Sequence, residues 1–456
     1  MSGFPLVFAG RRFAVMGLGR NGLAAARALA AMGAEVIGWD DATAAREAAA
    51  GVRLADPAEG NFEAEALVLS PGIPHRLPAP HRVALWARER GIPILCDVEL
   101  LFVAVRAAGS RARFAGITGT NGKSTTTALL AHILAGAGVA VAAGANLGPA
   151  ALSLPLLPDH GIYVLEMSSY MLERIAALRF DVAAMLNLSP DHLDRHGDMA
   201  GYVAAKTRIF ARQGVDDVAV VGVDDAASRA LAAQLSRRPA RLLRISGGTD
   251  ADVGCAGGWL RCSTGPILAM AEARALPGPH NAQNAAAAAA MAATFGIGRA
   301  EIARGIANFP GLAHRQQRVG EVGGVLFVND SKATNADAAA RALACYPRVV
   351  WIAGGIAKAG GIEPLAPFFP RIAEALVIGR DAPALAATLS AHGVRHRIVE
   401  TIESAVPAAF AAARAEGAPV VLLSPACASF DQFTSFEARG ARFAALVAGL
   451  AAGRTA

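Results

Sequence analysis

Aromatic residues are scarce in this sequence, 6% of its 456 residues, and charged ones make up only 18%. So small a charged fraction beside 54% hydrophobic residues excludes a disordered or solvating chain. Cysteine is sparse as well: Cys96, Cys255, Cys262, Cys345 and Cys427 are scattered without a Cys-x-x-Cys pair. That spacing argues against a disulfide framework and a cysteine zinc site, and it fits a reducing compartment, the cytoplasm. Long apolar runs are missing too. The opening MSGFPLVFAGRRF has no basic stretch before its short apolar segment, and the run Ala285 to Phe295 covers about half of the ~20 residues that a bilayer helix needs. Neither a signal peptide nor a membrane segment is expected. No solenoid-length repeat is present, and the net charge of +6 is dispersed, so small anionic ligands are expected rather than nucleic acid.

What is present is a succession of apolar strands, each followed by a polar or Gly-rich turn and a helix, the pattern of an α/β protein. A chain of this length allows two to four domains, and three fit the pattern: residues 1–109, 110–311 and 312–456. In the first, the strand Phe13 to Met16 runs into Gly17-Leu18-Gly19-Arg20-Asn21-Gly22, a helix follows to about Met32, and the strand Glu35 to Trp39 ends at Asp40. This Rossmann-like order brings backbone N–H groups close to a pyrophosphate at a helix N-terminus. It serves a dinucleotide or another nucleotide diphosphate equally. The strand Ala66 to Leu69 leads to the turn Ser70-Pro71-Gly72-Ile73-Pro74, and Gly109-Ser110 reads as a linker.

The central part opens on the strand Phe114 to Ile117 and the loop Thr118-Gly119-Thr120-Asn121-Gly122-Lys123-Ser124-Thr125. Gly119 and Gly122 permit a nest of N–H groups, Lys123 reaches β- and γ-phosphates, and Ser124 can ligate Mg²⁺. A strict phosphate loop would carry Gly where this chain has Ile117. Glu166 ends the strand Ile162 to Leu165, beside the phosphate site, and is the first candidate Mg²⁺ carboxylate. In isolation such an acid is more often a solvated strand end. After the strand Ala183 to Leu188 comes the loop Asp191-His192-Leu193-Asp194-Arg195-His196, where His192 can ligate a hard metal or hold a phosphate; alone it would read as an ordinary polar loop. Tyr202 and Lys206 share a helical face. In the last part three polar runs follow strands: Asn329 to Asn335, Gly354 to Lys358, and Ser424 to Asp431. Their common placement at strand C-termini predicts one crevice, although each could be a mere turn.

Taken in order along the whole chain, the TGTNGKST loop, Glu166-Met167-Ser168-Ser169, the Asp191 to His196 loop, Lys206, His280-Asn281-x-x-Asn284, His314-Arg315 and the Asn329 to Asn335 run resemble the Mur ligases. The Ser70-Pro71-Gly72-Ile73 turn, the DSKATN run and the SPACASFDQF segment resemble the D-glutamate-adding branch. The resemblance implies a Rossmann-like domain for a UDP substrate, a central P-loop ATPase-like domain, and a Rossmann-like C-terminal domain for an amino acid. It implies an acid–D-amino-acid ligase, ATP-dependent and ADP-forming, that joins D-glutamate to UDP-N-acetylmuramoyl-L-alanine in peptidoglycan precursor synthesis. Gly119, Thr120, Asn121, Gly122, Lys123, Ser124, Thr125, Asn284, Arg315 and Asp330 would then bind ATP. Ser124, Glu166, His192 and Lys206 would hold two Mg²⁺ ions, with Lys206 converted to a carbamate by CO₂. Catalysis would rest on Lys123, Glu166, His192 and Lys206. Gly17, Arg20, Asn21, Asp40, Ser70, Asn146 and His192 would line the UDP substrate, and Lys332, Thr334, Lys358, Ser429, Phe430 and Phe436 the D-glutamate. The residues ahead of Lys358 and the pair Asp40-Asp41 depart from the pattern of many relatives.

The chain is expected to act as a monomer, away from membranes. Two other readings remain in view. Another Mur ligase would add a different amino acid, and an NAD-dependent dehydrogenase would use the Gly17 to Gly22 turn with Asp40 but leave the phosphate loop, Glu166 and His192 without a task.

Overall fold

The computed structural model describes residues 3–60, 62–248 and 251–453. It is an α/β protein with three sheets, as the alternation of strands and helices predicts. The chain divides into two compact units, Met1–Ala273 with Pro279–Phe309, and Arg274–Gly278 with Pro310–Ala456.

The first unit carries two sheets. Strands β1 (Arg12–Met16), β2 (Glu35–Trp39), β3 (Arg53–Leu54), β4 (Ala66–Leu69) and β5 (Ile94–Leu95) form a parallel sheet in the order β3-β2-β1-β4-β5. The order reverses between β1 and β4, and a ligand crevice opens at such a switch point. The Gly17 to Gly22 loop and the Ser70 turn both leave from there.

The second sheet is built on β6 (Arg113–Thr118), β7 (Val141–Ala145), β8 (Ile162–Glu166), β9 (Val182–Met185), β10 (Val218–Gly222), β11 (Arg241–Ser246), β12 (Val253–Ala256), β13 (Trp259–Cys262) and β14 (Gly265–Ala269), ordered β14-β13-β12-β11-β10-β9-β6-β8-β7. Its core strands are parallel and buried on both faces, so β8 and β9 are apolar throughout apart from Glu166 at the very end. The antiparallel ribbon β12 to β14 was not anticipated from the sequence. Behind β6 the helix Lys123–Gly136 packs against the Ala-rich helix Pro279–Thr294, whose small side chains let the two axes approach closely. Gly109-Ser110 is not a loose linker: Ser110 is buried and its Oγ donates to the Leu157 carbonyl at 2.8 Å, while Arg106 donates to the carbonyls of Ser110 and Ala112.

The second unit holds β15 (Gln317–Val322), β16 (Val325–Asn329), β17 (Val349–Gly354), β18 (Ile372–Ile378), β19 (His396–Glu400) and β20 (Val420–Leu423), ordered β15-β16-β20-β17-β18-β19. Only β15 runs antiparallel to its neighbour. Trp351, fully buried in β17, donates its indole N–H to the Ser424 carbonyl at 2.8 Å and pins the end of β20.

Candidate active site

At the mouth of the first sheet, Gly17 takes φ +89°, and a Cβ on Gly22 would sit 1.7 Å from the Gly17 carbonyl oxygen, so this turn requires glycine at both positions. The Asp40 carboxylate accepts the Leu18 N–H at 2.7 Å and the Ala42 N–H at 2.9 Å, closing the loop from the far side. Ser70 donates its hydroxyl to the Gly17 carbonyl at 2.8 Å. Arg20 and Asn21 stand at the start of the helix Arg20–Ala31, whose N-cap Gly19 offers no side chain. Gly17, Arg20, Asn21, Asp40 and Ser70 thus sit together.

The second sheet supplies the phosphate loop. Gly119 has φ +150° and Gly122 has φ +84°, the latter as N-cap of Lys123–Gly136. A Cβ on Gly122 would meet Asn284 Oδ1 at 2.2 Å. Lys123 folds back to donate to the carbonyls of Gly119 (2.9 Å) and Thr120 (2.8 Å), the posture of a cation among loop carbonyls. Asn187, which the sequence did not single out, accepts the Asn121 N–H and donates to the Asn121 carbonyl, so one amide holds the loop's tip. Thr120 Oγ1 lies 3.1 Å from the Tyr202 hydroxyl. Ser124 is buried at the helix start, and Asn284 is 2% exposed, bonded to Thr126 and Asn281.

Beside the loop, Lys206 is 2% exposed and donates to the Gly119 carbonyl at 2.8 Å and Thr118 Oγ1 at 3.2 Å. Burial, then the nearby Lys123 ammonium, push its pKa well below the usual lysine value. Glu166 is also 2% exposed; Oε1 accepts the Asn146 amide at 2.5 Å, while Oε2 is buried with no hydrogen-bond partner. His192 adopts φ +53° as N-cap of the short helix Leu193–His196 and leans on the Tyr170 ring, 4.9 Å between centroids. Partial burial lowers its pKa, Asp191 opposes that, and Lys123 and Lys206 add to it. Two lysine amines, one acid oxygen without a donor and an imidazole therefore stand around one loop. The orphaned Glu166 oxygen is what a divalent cation fits. Among the described residues no three His, Cys, Asp or Glu side chains form a ready cage, so any metal here must draw on Ser124, a modified Lys206 or ligand phosphates.

In the second unit the three polar runs do meet. Arg439, buried and also missed in the sequence, donates to Ser331 Oγ (3.0 Å) and to the carbonyls of Ser331 (2.9 Å), Cys427 (3.1 Å) and Gly354 (3.3 Å), one contact set for each run. Lys332 lies 4.7 Å over the Phe436 ring, Thr334 follows it in the same turn, and Ser429 is buried. Lys358 and Phe430 are exposed. Arg315 is half-buried next to His314, which is held by Asn329.

Asp330 accepts Ser424 Oγ at 2.8 Å and the Gln316 N–H at 3.1 Å, and burial lifts its pKa to about 7. An unfolded aspartate titrates near ~3.9. Between those values the folded state holds the extra proton, so stability falls as pH rises from about 4 to about 7, and above that the loss is complete. Asp330→Asn keeps the bond from the Gln316 N–H on its amide oxygen, reverses the Ser424 contact so that the amide N–H donates to the hydroxyl oxygen, and removes the buried charge. Its melting temperature relative to the parent chain should rise from pH 5 to about pH 7 and then level off; a difference independent of pH would refute this.

A family model described as the Mur ligase middle domain matches residues 117–292, and one described as Mur ligase, glutamate ligase domain matches residues 314–427. A UDP-N-acetylmuramoylalanine–D-glutamate ligase of Paramagnetospirillum magneticum is 51% identical over 445 residues, covering 96% of each chain. Another, of Caulobacter vibrioides, is 48% identical and covers 98% of this chain and 97% of its own. Among solved structures, the UDP-N-acetylmuramate–alanine ligase of Thermotoga maritima has a TM-score of 0.60 at 16% identity, over 96% of this chain and 99% of its own. At that identity the likeness speaks for the fold alone.

Proposed function

The chain belongs to the Mur ligase family, in its D-glutamate-adding branch, and on that premise we propose how its residues share the reaction. It is an ATP-dependent ligase that adds D-glutamate to UDP-N-acetylmuramoyl-L-alanine in peptidoglycan synthesis. The observation that carries the residue assignment is the meeting of the glycine-shaped phosphate loop with Lys206 and the half-satisfied Glu166.

In our reading the N–H groups of Gly119 to Thr125 and the Lys123 ammonium hold the ATP phosphates. Glu166, Ser124 and His192 would hold Mg²⁺, which when bound neutralises phosphate charge. Lys206 would enter as a carbamate made with CO₂ and, with His192, would hold a second ion beside the one held by Ser124 and Glu166. Gly17, Arg20, Asn21, Asp40 and Ser70 would seat the UDP moiety, and Asn146 the sugar side of the substrate. Asn284, Arg315 and Asp330 would serve the base, a phosphate and the ribose of ATP. Lys332, Thr334, Lys358, Ser429, Phe430 and Phe436 would receive D-glutamate, whose two carboxylates suit two lysines. The L-alanyl carboxylate attacks the γ-phosphorus, giving an acyl phosphate and ADP. The free amine of D-glutamate then attacks the acyl carbon and inorganic phosphate leaves. Lys123 stabilises the charge gathering on the transferred phosphoryl group.

No helix of the described residues is long and apolar enough to cross a membrane, and the five cysteines are free. A monomer in the reducing cytoplasm is the setting we propose. Phosphate release with ATP and UDP-N-acetylmuramoyl-L-alanine, with D-glutamate, L-glutamate, L-alanine or diaminopimelate as amine, is expected with D-glutamate alone. Release with another amine would move the chain to a different branch.

A further inference from the structure

The turn Ser70 to Ile73, which closes on the Gly17 loop, is held from the opposite side by two arginines of the phosphate-binding half. Arg174 is 2% exposed; its Nη1 donates to the carbonyls of Leu69 (2.7 Å) and Ser70 (3.0 Å), and its Nη2 to the Ile73 carbonyl at 2.6 Å. Arg195 donates Nη1 to the Gly72 carbonyl at 3.0 Å and Nη2 to the Ile73 carbonyl at 3.5 Å, and stacks 4.4 Å over Tyr170. Among the described residues neither arginine pairs with a carboxylate. A buried guanidinium without a carboxylate partner is costly to place, and here the carbonyls it satisfies run from the end of β4 into one turn. His75 completes the cage. Its Nδ1 lies 3.4 Å from Arg174 Nη2, and burial with the surrounding arginines drives its pKa to about 3, so it stays a neutral acceptor.

The origin of the two arginines gives the contact a meaning. Arg174 follows Glu166 across the short helix Ser169–Leu172, and Arg195 sits in the short helix that His192 opens. On the other side of the turn, Ser70 bonds both the N-terminal sheet and the glycine loop, through its N–H to the Met16 carbonyl and its hydroxyl to the Gly17 carbonyl. Each loop that carries a candidate metal-side residue is therefore tied by its own arginine to the turn that shapes the sugar-nucleotide site.

We propose that Arg174 and Arg195 are positioning residues that clamp the Ser70 to Ile73 turn and so fix the register between the UDP-substrate loop and the Glu166 and His192 loops. The inference rests on the ligase reading above. A guanidinium fork spans two or three carbonyls at once, which an ammonium cannot do.

The test uses the full chain in the phosphate-release assay with D-glutamate and ATP saturating and UDP-N-acetylmuramoyl-L-alanine varied. If the unmodified chain releases no phosphate, the ligase reading fails; the clamp is judged only on an active parent. Arg174→Lys and Arg195→Met should each raise KM for the UDP substrate about tenfold or more, while affinity for a fluorescent ATP analogue stays within about twofold. The double variant should lose less than the product of the single losses, since both arginines hold one turn. Unchanged KM in either folded variant, or losses that multiply, would overturn the clamp. Should Arg174→Lys fail to fold, the half-exposed Arg195→Met decides alone: raised KM supports the clamp and parental KM rejects it.

Discussion

Replacing Lys206 with alanine is expected to lower kcat by about three orders of magnitude while the chain stays folded. Lys206 is the least solvated amine of the site, and its pKa is pulled down first by burial and then by Lys123. A neutral amine keeps its lone pair for chemistry, and its N–H groups still serve the Gly119 carbonyl and Thr118 Oγ1. Attack on CO₂ would form the N–C bond, release one proton to solvent and leave a carbamate anion. The site would then gain an anionic oxygen pair near the unpartnered Glu166 oxygen, where an ammonium would repel any cation. Activity of the parent chain should therefore fall in CO₂-depleted buffer and return with bicarbonate, and bicarbonate should restore only a small part of the Lys206→Ala activity by entering the vacated space. A parent chain indifferent to CO₂, or an active Lys206→Ala, would remove Lys206 from this role.

The phosphate loop was legible in the sequence because its geometry is local. Gly119 and Gly122 stand where φ is strongly positive, and no side chain could replace them without meeting Leu186 or Asn284. The departure at Ile117 also resolves locally: Ile117 is a buried strand residue paired with Glu166, outside the turn itself. The three polar runs of the second unit were legible for the same reason, each placed by a strand end. What stayed hidden was held together by side chains whose partners are main-chain atoms far along the chain. Arg174 reaches carbonyls 105 positions away, Asn187 grips the loop 66 positions earlier, and Arg439 gathers three runs at once. A carbonyl acceptor leaves no residue type to recognise, so nothing in the sequence marks such an arginine. The antiparallel ribbon was missed because four-residue strands carry too little periodicity to read.

Glu166→Gln carries the second large expectation, a fall in kcat of about a thousandfold with a higher Mg²⁺ requirement. The carboxylate sits at the end of β8, level with Ile117 and Ala145, so the sheet fixes its direction. Asn146 takes one oxygen and leaves the other buried without a donor. An acid oxygen kept dry and unpaired disfavours the isolated fold and is relieved when a cation arrives, the logic of a preformed ligand. Glutamine preserves shape and the Asn146 contact but turns the orphaned oxygen into a donor, which no cation accepts. Magnesium titration of phosphate release, alongside metal-free binding of a fluorescent ATP analogue, separates the possibilities. Lost turnover with unchanged analogue binding assigns Glu166 to the metal. Equal loss of both makes it a structural support of the phosphate loop, and parental activity would place the metal elsewhere. Asn146→Ala, which frees the bonded oxygen but removes no metal ligand, should cost only about tenfold in kcat, with any lost substrate contact read in KM.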